Sequence, residues 1–291
     1  MSISATIVGI IVMLIGKVKK LPRRFAYLLW VIPFFRMWIP IGIAGKYSLM
    51  SLISQFATKT VVVYQGYQTL SISNSVMAAD SYFPITYKED LLKDIFHIAS
   101  GIWMVGAVAM LIVVFVLYYV TIKELRDAIR DHDNIYFSDK ITSPAVYGII
   151  RPKIILPHNY IHKDLKYIIA HEQAHINRLD NLWRILAFIS VAIHWFNPFS
   201  WLFLKHFLEE TELACDERVL KKFGESEKKE YALNLINCAE HTTLFASSFG
   251  GAKVKIRVES ILSYRKLSFA STVCFVALVL AIGYVLLMNA M

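Results

Sequence analysis

Cysteine is scarce in this chain: there are three among 291 residues, at 215, 238 and 274, and none sits in a C-x-x-C pair. An odd, scattered count of this kind argues against a disulfide framework. Also missing is a basic stretch ahead of the first apolar segment, residues 3–16. The basic run follows that segment instead, which is the wrong layout for a cleaved signal peptide. The polar balance of a soluble domain is absent too. The chain is 56% hydrophobic with a mean hydropathy of +0.50, and its long apolar runs indicate a membrane protein. Its formal charge of +9 is no nucleic-acid signal, because Lys17, Lys19, Lys20, Arg23 and Arg24 crowd one short loop beside an apolar segment. Direct nucleic-acid binding is therefore not expected.

The apolar runs predict four transmembrane helices: the short segment 3–16, Phe25 to about Gly45, Ile95–Val120 and Phe269–Leu287. The positive-inside rule puts the Lys17–Arg24 loop in the cytoplasm and both termini outside. The loop 46–94 carries four basic and four acidic side chains, the absence of bias that suits an extracytoplasmic loop. Within it, Val61–Tyr64 reads equally as a strand or a surface-lying segment. Arg36, inside the second span, reads as snorkelling or paired within the bundle in preference to a functional charge. The fold class is thus a mainly α membrane protein. Residues 1–120 form a three-span region, 121–266 a cytoplasmic α+β domain, and 267–291 the fourth span.

That domain holds His171-Glu172-Gln173-Ala174-His175, an H-E-x-x-H sequence. Residues four apart share a helix face, so both imidazoles reach one metal ion and Glu172 stands beside it as a base for water. Asp164 falls in a plausible first turn, and Leu165, Ile168, Ile169 and Ile176 repeat at helical spacing. A third ligand is required. Glu212 supplies it, with Asp216 one turn on to orient an imidazole; the competing reading of Glu212 is a solvated face shared with Glu209, Glu210 and Glu217. Asp180 orients a histidine or caps the helix end. Cys215 is a thiolate ligand or, more simply, a small residue packed under the site.

Trp183–Leu204 is apolar enough to span, but a crossing there would part the histidines from Glu212. Asn197-Pro198 instead breaks it into two antiparallel helices. His194 at the tip belongs to the site only if the hairpin folds back. Tyr231 and His241 are candidates for stabilising an oxyanion, with nothing in the spacing to position them. Ile149–Leu156, bounded by Pro152 and Pro157, reads as an exposed strand onto which an extended peptide could add. Residues 245–255 read as a flexible connector.

These residues carry a resemblance. Ser143–Gly148 running to Lys153–Pro157, the H-E-x-x-H with Asp180, His194–Pro198 and Glu212–Asp216 together resemble the bacterial membrane zinc peptidases that include the β-lactam sensor-transducers, the antirepressor family. The resemblance covers most of the chain. It implies a glutamate-zincin metallopeptidase in which His171, His175 and Glu212 hold Zn²⁺, Glu172 is the base, and Asp216 and Asp180 support the histidines. It also implies signalling by self-cleavage, at Ser248–Phe249 here, or by cleavage of a transcriptional repressor. In the β-lactam sensors a penicillin-binding domain follows the fourth span. Only a few residues do so here, so that sensor is not expected, or the sequence is truncated. The stimulus would then enter through the 46–94 loop, the spans or a partner. The other readings are a constitutive quality-control or maturation protease and a non-enzymatic scaffold with a structural metal. Lipid and a peptide or protein substrate are the expected partners, and a homodimer is left open.

Overall fold

Three apolar clusters among the described residues organise the chain, one between membrane-type helices and two around the H-E-x-x-H helix. The computed structural model describes residues 2–16, 22–38, 75–160, 165–239, 254–265 and 268–287.

The first cluster joins α1 (Ser2–Gly16) and α2 (Arg23–Trp38) to a later helical hairpin. Val8, Leu29 and Trp30 bury against Phe203 and Phe207. A Cβ at Gly9 would stand 2.1 Å from the Phe203 ring, so only glycine lets that ring lie on α1. Arg36 is buried and donates to the Leu287 carbonyl at 2.9 Å, the pairing within the bundle that the sequence favoured.

α3 (Ser75–Glu124) begins earlier than the third expected span, so residues 75–94, read from their mixed charge as loop, continue its helix. Hydropathy is blind to a helix that carries on through polar residues. Val61–Tyr64 lies outside the described residues. Among those residues two stretches are long and apolar enough to cross a membrane, 95–127 and Phe269–Leu287, and few residues of either are buried. α1, at 15 residues, and α2, at 16, are shorter than the ~20 that a bilayer core asks for.

A four-stranded sheet follows: β1 (Ile129–Arg130), β2 (Ile135–Ser138), β3 (Ala145–Tyr147) and β4 (Lys153–Pro157), in the order β1-β2-β4-β3. β2 and β4 are parallel; β3 returns antiparallel on β4. The strand expected at 149–156 therefore starts later, because 148–152 turns the chain at Gly148, whose φ of 91° favours glycine. It also lies between two others, so it offers no free edge. β3 is the edge there, and Asn181 Nδ2 already donates to its Val146 carbonyl and to Gly148, each at 3.0 Å. Strand addition onto residues 153–157 is ruled out by their place inside the sheet.

α4 (Lys166–Asn177) lays Ile168, Ile169 and Ile176 on the sheet with Ile154, Leu156 and Tyr160. Asp164, expected in its first turn, is not among the described residues. α5 (Asp180–Ile193) and α6 (Pro198–Phe223) form the hairpin expected at Asn197-Pro198; Asn197 caps α6 by accepting from Phe199 N at 3.0 Å. The hairpin packs against α1 and α2, burying Ala187 and Val191 with Phe203. α7 (Lys228–Ala239) and α8 (Val254–Ser263) close the third cluster around Tyr167, Leu220, Tyr231 and Ile261. The chain then enters α9 (Phe269–Leu287).

Candidate active site

One face of α4 packs on the sheet; the other turns both histidines toward α6. The His171 and His175 Nε2 atoms come within 3.2 Å of each other. Glu212, from α6, closes the triangle, with Oε2 3.4 Å from His171 Nε2 and Oε1 3.6 Å from His175 Nε2. The ligand atoms of these three residues all lie within 4.8 Å of one another. Zinc bound tetrahedrally through bonds of ~2.0–2.1 Å wants ligand atoms roughly 3.3 Å apart. Two imidazole nitrogens and a carboxylate at this spacing therefore fit the ion. Glu172 is buried on the same helix.

Each imidazole is held from behind. Asp180 Oδ2 accepts from His175 Nδ1 at 2.8 Å. The junction that aims it is strained: Leu179, between α4 and α5, has a φ of 56° without being glycine, which costs ~1–2 kcal/mol. Asp216 Oδ1 lies 3.2 Å from His171 Nδ1. A donating Nδ1–H leaves each Nε2 lone pair facing the triangle. The structure thus brings Glu212, Asp216 and Asp180 together with the histidine pair. The acidic neighbours of Glu212 do not form a solvated face: Glu210 pairs with Arg23 at 3.1 Å and Glu217 with Arg24 at 3.4 Å.

Three residues complete the site without having been picked out by motif. Arg257 of α8 donates through Nε and Nη2 to both Asp216 oxygens, at 2.9 and 2.8 Å, and its Nη1 is 3.4 Å from Glu212 Oε2. Arg184 of α5 donates to Glu212 Oε1 at 2.8 Å. Arg178, just past α4, lies 3.5 Å from Asp180. Their spacing from the histidines carries no periodic signal; only the charge balance of the buried carboxylates asks for them.

Tyr231 donates to Asp216 Oδ1 at 2.6 Å and is 3.1 Å from His171 Nδ1. Its hydroxyl therefore supports the Asp216 carboxylate beside His171 Nδ1. His194 bonds locally, with Nδ1 3.1 Å from the Ser190 carbonyl, at the hairpin end away from the site. His241, Ser248 and Phe249 fall outside the described residues. Cys215 packs beneath the site, with Sγ 3.2 Å from His175 Nδ1 and 3.3 Å from Asp180 Oδ2.

The electrostatics hold the site's carboxylates ionised. Burial would raise the Glu212 carboxyl, but His175, His171, Arg257 and Arg184 hold it well below the carboxylate range. Asp216 is likewise pulled down against its burial by Arg257 and His171. Burial and Arg257 press on the His171 imidazolium, yet Asp216 and Glu212 carry it up to about 9. Burial pushes the Cys215 thiol well up, keeping it neutral.

Membrane-type helices around an H-E-x-x-H pair with a downstream carboxylate define a class, the membrane-embedded metallopeptidases. Comparison with family models makes the class specific: the model described as BlaR1 peptidase M56 matches residues 1–261, and the chain belongs to that family. It is similar to the regulatory protein BlaR1 of Bacillus licheniformis, 26% identical over 216 residues, or 64% of this chain and 36% of that protein. The methicillin resistance mecR1 protein of Staphylococcus aureus (strain Mu50) is 27% identical over 146 residues, covering 46% of this chain and 25% of that protein. The regulatory protein BlaR1 of Staphylococcus aureus is 30% identical over 125 residues, covering 40% and 21%. The chain thus spans about a third or less of the length of these relatives.

Proposed function

We propose that the chain is a zinc metalloendopeptidase of the glutamate-zincin type, working at the cytoplasmic face of a bacterial membrane in signal transduction. The observation that carries this is the convergence of His171, His175 and Glu212 within 4.8 Å beside a buried Glu172. These three side chains would hold the metal. When bound, zinc supplies Lewis-acid polarisation of a peptide carbonyl and lowers the pKa of water. Glu172 takes the proton of the attacking water and passes it to the leaving amine. Asp180 and Asp216 keep the imidazoles in the tautomer that leaves Nε2 free. Arg184 and Arg257 keep Glu212 ionised.

The reading extends to topology and substrate. The Lys17–Arg24 loop is cytoplasmic, the 46–94 loop and both termini are outside, and α1, α2, α3 and α9 are the four spans. Domain limits of 1–120, 121–266 and 267–291 follow from that. The substrate is a peptide or protein, either this chain itself at Ser248–Phe249 or a transcriptional repressor, and a homodimer would let one copy cut another. The support is the family match together with the names of two relatives as regulatory proteins.

Glu172→Gln tests the chemistry. It should retain about one equivalent of zinc and lose peptide cleavage by ~100-fold or more. Undiminished turnover would remove Glu172 from the mechanism. With a C-terminal tag, wild type should yield a small fragment beginning at Phe249 that Glu172→Gln does not. The same fragment from both would identify an outside protease.

A further inference from the structure

Arg257 belongs to none of the motifs, yet its guanidinium reaches Asp216, Glu212 and His171 together. We propose that Arg257 is a positioning residue of that centre. From α8 it fixes the Asp216 carboxylate against His171 Nδ1 and steadies Glu212, making the helix that leads into α9 a working part of the site. This deepens the metallopeptidase reading and rests on it.

The geometry is specific. Asp216 is only 1% exposed, and an ionised carboxylate so deep requires a partner. Arg257 meets it with two parallel bonds, 2.9 Å from Nε and 2.8 Å from Nη2, a fork that fixes orientation as well as charge. Oδ1 then stands 3.2 Å from His171 Nδ1, with the Tyr231 hydroxyl beside it. The third nitrogen, Nη1, is 3.4 Å from Glu212 Oε2. One side chain thus holds a ligand carboxylate and the support of a ligand imidazole in fixed relation.

Arg257 does this without taking the metal's place. Its Nη2 is 3.4 Å from His171 Nε2 and 3.5 Å from Nδ1. An atom on the Nε2 lone-pair axis would stand much nearer Nε2 than Nδ1. Near-equal distances put the guanidinium off that axis, and the lone pair stays open. The helix that delivers it is anchored by Ile261, buried among Tyr167, Leu220 and Tyr231. Only residues 264–268 separate α8 from α9.

The test uses the full chain in lipid nanodiscs, as wild type, Arg257→Met, Arg257→Lys and, as a control on an exposed site of the same helix, Glu259→Gln. Zinc affinity is read by chelator competition, and geometry by the visible absorption of the cobalt-loaded protein. Arg257→Met should weaken zinc binding by ~10–100-fold and alter the cobalt spectrum. Arg257→Lys, a point charge without the fork, should fall between it and wild type. Glu259→Gln should match wild type. Wild-type affinity and an unchanged cobalt spectrum in folded Arg257→Met would overturn the proposal, and tighter binding would do so too by making Arg257 a plug that competes with the cation. If the methionine variant does not fold, the lysine variant decides by the same two readings. A wild type that binds neither metal would defeat the metallopeptidase reading itself, a result distinct from failure of the variants alone.

Discussion

The two imidazoles at the centre of this site are held by different means. His175 is served from five residues away, by Asp180 across a single strained junction at Leu179. His171 is served from three other helices, through Asp216 of α6, Tyr231 of α7 and Arg257 of α8. The first support is local and forms once α4 and α5 meet. The second exists only when α6, α7 and α8 have all docked. One metal centre therefore has a side fixed by local chain geometry and a side that reports on tertiary assembly.

The largest effect should come from the group common to both sides. Glu212 lies within 3.6 Å of both Nε2 atoms, so Glu212→Ala should lose most of the zinc equivalent by metal analysis. Retention in that variant, with loss in Glu209→Ala or Glu210→Ala, would move the ligand elsewhere. Next come the two supports compared directly. Asp216→Asn leaves Arg257 with the more distant Glu212 carboxylate, 3.4 Å from Nη1, in place of the forked pair, so it should cost ~3 kcal/mol of stability in denaturant titration and ~10–100-fold in zinc affinity. Asp180→Asn should cost affinity near the lower end of that range and less stability. Arg178 keeps other partners there: the Thr211 carbonyl at 3.3 Å and the Tyr27 ring at 4.1 Å. Equal losses in both measures would erase the distinction between a local and an assembled side.

The same distinction governs how far the sequence could be read. His171, Glu172 and His175 announce themselves because i and i+4 share a helix face, and Asp180 is close enough in the chain to be suspected. Glu212 and Asp216 repeat that i, i+4 spacing downstream. The hairpin break was legible because Asn197-Pro198 leaves few other conformations. Arg257 was not legible: an arginine in a short amphipathic helix looks like any solvated charge until the fold turns it inward. The solvated-face alternative for the acidic cluster 209–217 stood open for the converse reason: its partners Arg23 and Arg24 lie far away in the chain, at the start of α2, and their charge already had an explanation in topology. The start of α3 was missed because hydropathy marks apolar thickness and not helix length. The free edge expected of residues 149–156 failed because strand order depends on pairing between segments, and β4 is paired with β2 on one side and β3 on the other.

A smaller effect should separate the assembled side into its parts. Tyr231→Phe removes one hydrogen bond to an ionised carboxylate that Arg257 still grips twice. Such a bond contributes ~1.5–3 kcal/mol to stability, while zinc affinity should fall less than in Arg257→Met. A loss of zinc as large as that of Asp216→Asn would make Tyr231, and not Arg257, the main hold on the carboxylate.

The smallest effect is expected on the local side, at Cys215. His175, Asp180 and Cys215 form a second trio close enough for an ion, and the thiol lies 3.2 Å from His175 Nδ1. Three observations argue that it holds none. Nδ1 donates to Asp180 at 2.8 Å and cannot also offer a lone pair. Arg178 stands 3.3 Å from Sγ and already supplies positive charge. Burial keeps the thiol protonated, with the Arg178 charge too weak to reverse it. Cys215→Ala should therefore retain one equivalent of zinc with affinity changed by less than threefold, and lose only the ~1 kcal/mol of a small buried side chain. Metal analysis that finds two equivalents in wild type and one in Cys215→Ala would show that the thiol binds an ion after all. It would also turn the Asp180 side from a passive support into a second metal site.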